Sequence, residues 1–344
     1  NLNNVDIQCN NLLRISKSTK DLNILKEQII LRLNENELVS RVEILPNNFI
    51  NISFSNIYLK TYGLIEKKLL LSNTKRNILI DYGGPNIGKD LHVGHIRTLN
   101  IGRSLYNLNK IAGNNVVSDI HFGDWGMPVA LLIAYAENKD ITIEELKFND
   151  FEEIYPKAST LSKENTEFYE HAKSISKNLN EKDEIYLSKW KKIYNIVIPE
   201  IKNLLTQIGH EFDFYLGESD VVDNVKIVLD KAIKDKKIKK DDGAYISTEK
   251  TDPPVLITKS DDSYLYLTTD LGTVHYREEN FDIDTYVYVV DQRQQKHFEQ
   301  LFSTCKHFGL SDKNFKHIGF GTINGLDGKP FKTRDGEIYK LRTL

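Results

Sequence analysis

Cysteine is nearly absent, with Cys9 and Cys305 the only two in the chain. A pair so far apart in sequence offers neither a disulfide framework nor the paired thiolates of a structural metal site, so no protein-bound zinc is expected. No apolar run reaches the length that a membrane-spanning helix needs, and no signal peptide opens the chain. A cytoplasmic protein with no membrane partner is therefore expected. An excess of one charge is also missing. Lys+Arg number 46 against 49 Asp+Glu, a formal net charge of −3. No global basic field announces a nucleic-acid partner, and any RNA contact must rest on local basic surface. The chain has no internal repeat and no low-complexity linker. It begins at Asn1 rather than Met, which reads as an already trimmed start.

What is present is an ordinary globular composition, 40% hydrophobic and 28% charged, over a length of 344 residues that exceeds one domain. Residues 1–73 read as a small α+β unit. Leu22, Leu25, Ile29, Ile30 and Leu33 are spaced as one face of a helix, Asn48 to Phe54 alternates like a half-buried strand, and helical spacing resumes through Leu59. The next stretch organises the rest. Asn77 to Tyr82 is a short apolar run that suits a buried strand, and Gly83, Gly84, Pro85 and Gly88 break it into a loop. Ile101, Leu105, Leu108 and Ala112 then recur at helical spacing, with Gly113 as the stop.

His92 and His95 thus fall at the mouth of a helix that follows a strand. Helix N-termini present unpaired N–H groups and the positive end of the dipole, which attract phosphate. Two imidazoles three residues apart at that end can donate to a phosphate as charge grows on it. Gly94 between them, lacking a side chain, leaves its backbone open to a flat base. This is the pattern of a nucleotide site.

Further on, Val116 to Ile120 reads as a second strand leading into the turn His121-Phe122-Gly123-Asp124-Trp125-Gly126, where Trp125 locks a strand end against a helix and Asp124 is left open. From about 137 to 262 the strand–helix alternation gives way to helical, charge-rich sequence. Trp190, Ile193, Val197, Ile201, Leu204 and Ile208 keep one apolar stripe, which Pro199 is expected to kink or restart. The lysines from Lys231 to Lys240 read as a solvated face. Tyr286 to Val290 is a buried strand, followed by a helix near His297 to Phe308, and Ile318 to Ile323 reads as one more strand. Ligands of open α/β sheets lie beyond the carboxyl ends of the strands. Gly325 to Gly336, flanked by glycine and carrying Lys329, Lys332 and Arg334, has the form of a mobile cationic loop that closes on polyphosphate.

Pro85-Asn86-Ile87, Lys89, His92-Val93-Gly94-His95, Arg97 and Gly123-Asp124-Trp125-Gly126 together closely resemble the signature of class I arginyl-tRNA synthetases. The resemblance implies an α/β fold: a Rossmann-type nucleotide-binding catalytic domain over 74–324 with a helical connective insertion at about 137–262. A small α+β N-terminal domain that contacts tRNA over 1–73 would precede it, and the cationic ATP-motif loop and chain end would occupy 325–344. It implies ATP as substrate with Mg²⁺, and L-arginine and tRNA(Arg) as partners of a monomer. His92 and His95 become the first ATP motif, with Gly94 against the nucleotide. Lys329 joins the ATP contacts, and Lys89, Lys332 and Arg334 become the cations on the outgoing pyrophosphate. Lys89 would replace the second lysine that the Phe331-Lys332-Thr333-Arg334 motif lacks.

A guanidinium presents forked donors that match carboxylate oxygens. Glu218 and Asp270 stand where the family binds that group, with Tyr266 one helical turn before Asp270. Asn86 and Gln294 match the residues that hold the α-amino and carboxylate ends. There are departures. Gly84 stands where the family has serine, and Asp90 replaces a proline beside Lys89. The sequence stops at Leu344, before the helical anticodon-binding domain that the family carries, so a catalytic portion is expected. Two other readings stay open on the motifs alone: another HxGH nucleotidyltransferase, and a non-catalytic paralogue that binds arginine or tRNA.

Overall fold

The computed structural model describes residues 5–16, 19, 21–62, 74–89, 91–260, 264–321 and 341. The chain divides into two compact units, Asn1–Leu71 and Ser72–Leu344. Among the described residues no helix is long and apolar enough to cross a membrane.

The first unit is built from β1 (Ile7–Cys9), α1 (Asn11–Ile15), α2 (Leu22–Asn34), β2 (Val39–Ile44), β3 (Ile50–Phe54) and α3 (Asn56–Tyr62). Its strands form an antiparallel sheet in the order β1-β3-β2. Leu12 and Ile50 are its buried apolar anchors. The expected stripe on α2 is the half-buried one, while Ile24 and Leu31 face solvent.

The second unit carries four parallel strands in the order β5-β4-β8-β9. They are β4 (Asn77–Tyr82), β5 (Asn115–Asp119), β8 (Thr285–Asp291) and β9 (Asn314–Phe320). Helix α4 (Val93–Ile111) connects β4 to β5, and α11 (Gln295–Phe308) connects β8 to β9. Period-2 alternation assigns the two faces. Ile78, Ile80, Tyr82, Val287 and Val289 pack with Leu99 and Tyr106 of α4. Leu79, Tyr286 and Tyr288 pack on the other face with Leu271 and Val274, and with Phe298, Leu301 and Phe308 of α11. A sheet covered on both sides needs strands that are apolar throughout, which is why β4 and β8 were legible as continuous runs. Because β4 leads to one side of the sheet and β8 to the other, their carboxyl ends flank the crevice where such folds bind ligands.

Between β5 and β8 lie α5 (Met127–Asn138), α6 (Phe148–Glu164), α7 (Thr166–Asn180), α8 (Glu184–Gln207), α9 (Val222–Lys234) and α10 (Tyr266–Asn280). This segment is not purely helical. Its lysine run continues into a hairpin of β6 (Ile238–Asp241) and β7 (Ala244–Ser247), closed by Asp242 and Gly243 at φ 47° and 81°. Asp-Gly between two short strands is the signal for such a turn, and the charge of the lysines masked it.

Four local expectations also shift. Helix α8 runs through Pro199 without restarting, because packing of Ile193, Val197 and Ile201 in the core outweighs one lost hydrogen bond. Leu108 keeps helical spacing yet is 60% exposed, and Ile208 caps α8 at the surface. The last strand begins at Asn314, four residues before the expected start, and Thr322 and Ile323 lie outside the described residues.

Candidate active site

The first βα loop is bound to the second by backbone. Ile87 N donates to Gly123 O at 3.0 Å, and Gly123 N donates to Pro85 O at 3.0 Å. The Asn86 carboxamide oxygen fills the space a Cβ on Gly123 would need, so a larger residue there would push that side chain aside. The loop then enters α4 through an unusual cap. His92, extended at φ −118° and ψ 170°, is the N-cap, and its Nδ1 accepts from Gly94 N at 3.0 Å. His95 Nδ1 reaches back to accept from His92 N at 3.1 Å. The histidines do the work that serine and glutamate do in a capping box. A Cβ on Gly94 would lie 2.6 Å from the His92 ring, a nearer reason for glycine here than room for a base.

This cap alters the expected anion site. Two of the helix's amino-terminal N–H groups are taken by imidazoles, so a phosphate would meet the rings rather than the bare backbone. With Nδ1 accepting in both, the neutral tautomer places each proton on Nε2, which has no hydrogen-bond partner among the described residues. Burial, then the proximity of His92, pushes His95 down to about 3. Burial and Lys89 also lower His92. Both are neutral donors at physiological pH. Lys89 Nζ lies 5.1 Å from the Tyr155 ring centre, and burial lowers its pKa.

A stability consequence follows from the sign of these shifts. Unfolded His95 binds a proton near 6.5, but folded His95 refuses one down to about 3. Its contribution is therefore fully present above 6.5 and is lost as pH falls through that window. The melting temperature should fall on acidification from about pH 7.5 to about pH 5, and less steeply in His95→Gln. Equal slopes in thermal melts of the two proteins would remove His95 as the group responsible.

The second half of the site comes from the insertion returning to the sheet edge. Asp213 Oδ2 accepts from Ser118 N and Oγ, both at 2.8 Å, and Phe214 and Gly217 pair with Asp119 and Phe122. Glu218 N donates to Phe122 O at 2.9 Å. Asp124 is buried and clamps the neighbouring residue, accepting from Ser219 N at 3.0 Å and Ser219 Oγ at 2.6 Å. Trp125, edge-on to Trp190, donates to Asn180 at 2.8 Å and so locks the turn against α7 and α8.

Glu218 is thereby held among acids. Burial first, then Asp124 and Asp270, push its carboxyl up to about 8, against one hydrogen bond from the Trp125 backbone. Among the described residues no salt bridge reaches it. Asp270, on α10, instead meets His297 of α11, whose Nε2 lies 2.6 Å from Asp270 Oδ2. This hydrogen bond raises the His297 pKa. Most of Tyr266 is exposed, 72%, yet desolvation and then Glu218 and Asp270 raise the pKa of its phenol. Tyr266 in turn adds to the rise at Tyr155, where burial is the larger cause, and Lys89 lies over that same ring. Gln294 is exposed at the end of a 3-10 turn, Gln292–Gln294, that leaves β8.

Lys329, Lys332 and Arg334, with Asp90, lie outside the described residues. Arg97 donates from its guanidinium to Gly321 O, one residue past the end of β9. Sequence reading missed the clamp by Asp124 and the pairing of His297, and also a buried ion triad under the site. Arg277, fully buried, donates from Nη2 to Asp81 Oδ2 at 2.5 Å and to Asp119 Oδ2 at 2.6 Å. An aspartate closing each of two apolar strands was the available signal.

Known proteins carry the same architecture. The catalytic-domain model of class I tRNA synthetases, arginine type ("tRNA synthetases class I (R), catalytic domain"), matches residues 61–344, and the arginyl tRNA synthetase N-terminal domain matches residues 1–54. The arginine–tRNA ligase of Alkaliphilus oremlandii is 34% identical, over 98% of this chain and 62% of the relative. That of Francisella tularensis subsp. novicida is 32% identical over the same shares. The crystal structure of arginyl-tRNA synthetase from Plasmodium falciparum superposes with a TM-score of 0.62 at 26% identity, covering 92% of this chain and 58% of that one. The Thermus thermophilus arginyl-tRNA synthetase, at 14% identity and a TM-score of 0.56, shares the fold. The chain spans about three fifths of the length of the curated relatives it matches. With one catalytic-domain model spanning the parallel strands, the histidine cap and the acids around Glu218 alike, the chain belongs to the class I arginyl-tRNA synthetase family.

Proposed function

We propose that this chain supplies the catalytic portion of an arginine–tRNA ligase, activating L-arginine with ATP and passing it to the terminal adenosine of tRNA(Arg). The observation that carries the reading is Glu218, a desolvated carboxyl beside Asp124 and Asp270 with no cation of its own among the described residues. A carboxylate in that setting is tolerable only when paired, and a guanidinium pairs with it through two parallel hydrogen bonds. Asn86 and Gln294 would hold the amino-acid end, and Tyr266 would close the mouth.

The arginine carboxylate oxygen would attack the α-phosphorus of ATP as the bond to pyrophosphate breaks, giving arginyl-adenylate. The 2′-hydroxyl of the tRNA adenosine would then attack the arginyl carbonyl and release AMP. The Nε2–H groups of His92 and His95 would donate to the phosphate oxygens as their charge rises, and being neutral they need lose no proton to do so. Gly94 would lie against the nucleotide. Lys89, with Lys329, Lys332 and Arg334 from the cationic stretch, would hold the departing pyrophosphate. Mg²⁺ would arrive on the nucleotide and spread its charge. Among the described residues no group of three or more His, Cys, Asp or Glu could hold a metal. The working form would be a cytoplasmic monomer that meets tRNA through local basic surface, since a net charge of −3 gives no overall attraction.

ATP–pyrophosphate exchange, run with each amino acid and with or without tRNA, tests the proposal. Exchange should depend on arginine. Exchange driven by a different carboxylic acid would instead identify another HxGH nucleotidyltransferase.

A further inference from the structure

We propose that His297 is a positioning residue that sets the length of side chain the acid pocket accepts. The inference rests on the reading that the pocket takes arginine. Its geometry starts from where the two ends of that substrate would be held. The far end faces Glu218 and Asp270, and the amino-acid end faces Asn86 and Gln294. Gln294 closes the turn after β8, and α11 begins at the next residue. His297 therefore sits on the first turn of the helix that Gln294 introduces, and its Nε2 reaches Asp270 Oδ2 at 2.6 Å. One hydrogen bond and one rigid helical step join the residue at one end of the substrate to the residue at the other.

Neither side of this link is loose. Phe298, the next residue, is buried, lies 5.0 Å from the Tyr288 ring and stacks on His317 at 4.8 Å, so the first turn of α11 is fastened to β8 and β9. Asp270 lies within α10, whose Leu271 and Val274 are in the core. The hydrogen bond that His297 donates to Asp270 also holds the His297 proton more firmly than usual, which keeps Nε2 a donor. With Oδ2 occupied, Oδ1 accepts no hydrogen bond among the described residues and is the oxygen left for a cation. Asp270 would then present one oxygen at a set distance from Gln294, whereas an unfastened carboxylate could turn and follow a longer or shorter ligand.

The test is a ratio. Calorimetry of the whole chain would compare L-arginine with L-homoarginine and with 2-amino-4-guanidinobutyrate, one methylene longer and one shorter. A one-methylene mismatch in a shaped pocket is worth about 10- to 200-fold. His297→Ala and the volume-filling His297→Phe should each lower the preference for arginine over both homologues about tenfold, while His297→Gln, which restores an N–H donor without charge, should retain it. A merely structural loss would weaken all three ligands by one factor and leave the ratio intact. An unchanged ratio in both donor-free variants overturns the proposal, and so does a Gln variant that behaves like Ala. Wild-type protein that binds none of the three ligands would instead refute the arginine pocket itself.

Discussion

Arg277→Met is expected to lower the melting temperature of the chain by on the order of 10 °C, because removing one partner of a buried ion group strands the rest at a loss of about 3–5 kcal/mol. The reason lies in the register of the sheet. Asp81 and Asp119 are opposite one another at the carboxyl ends of β4 and β5. Both point at one guanidinium that is itself fully buried. Burial raises the Asp81 pKa, Arg277 opposes that rise, and Asp119 adds to it. Arg277 also donates to Tyr288 Oη at 3.4 Å, which extends the clamp to β8. Without the cation, two carboxyls on adjacent strands would face each other in a dry interior. Loops bearing Asn86 and Asp124 leave those same strand ends, so activity should fall with stability. Replacing all three by neutral groups, Arg277→Met with Asp81→Asn and Asp119→Asn, should recover most of the loss, since an exchanged triad leaves no charge stranded. Thermal melts of the single and triple variants decide this. A shift below about 2 °C in the single variant would mean that the triad is not holding the strand ends.

Glu218→Gln should weaken arginine binding by about 3–5 kcal/mol, the usual loss when one partner of a buried charge pair is removed. The pH dependence makes the prediction more specific. Burial, then Asp124 and Asp270, push Glu218 up to about 8, so at neutral pH much of it carries a proton. A guanidinium favours the ionised form, and binding must expel that proton. Arginine affinity should therefore rise with pH up to about 8 and level off above it. Citrulline has nearly the same shape but a neutral urea, whose carbonyl can accept a hydrogen bond from the protonated acid. Its affinity should move the other way, so that discrimination widens with pH. In Glu218→Gln both ligands should lose this dependence and the gap between them should narrow. Titration calorimetry in buffers of different ionisation enthalpy reads the proton directly. Arginine binding with no proton release near pH 7 would take Glu218 out of the pocket and leave Asp270 as the remaining candidate.

The sequence by itself determined whatever is carried by neighbours along the chain. Asn77 to Tyr82 and Tyr286 to Val290 were legible as strands because a sheet covered on both faces demands unbroken apolar runs. The placing of His92 and His95 at a helix start was legible because an apolar strand, a glycine-rich loop and a helical period follow one another along the chain, whereas the bonds donated by Gly94 N to His92 and by His92 N to His95 were not read there. The acid pocket could be named only through family resemblance, since Glu218 and Asp270 alone look like surface acids. Tertiary structure decided the rest. Asp124 and Ser219 are 95 residues apart, Arg277 and Asp119 are 158, and Arg277 and Asp81 are 196. Each contact exists because β4 lies between β5 and β8 and the insertion returns to the edge of β5. Strand order leaves no trace in hydrophobic periodicity, so no spacing in the chain could announce which acid would meet which cation. The same limit explains Leu108, whereas the hairpin carried a local Asp-Gly signal that the charge of its lysines hid. Period and charge say that a residue can face the core or the solvent, but only the neighbouring element, packed against it or missing, decides which it does.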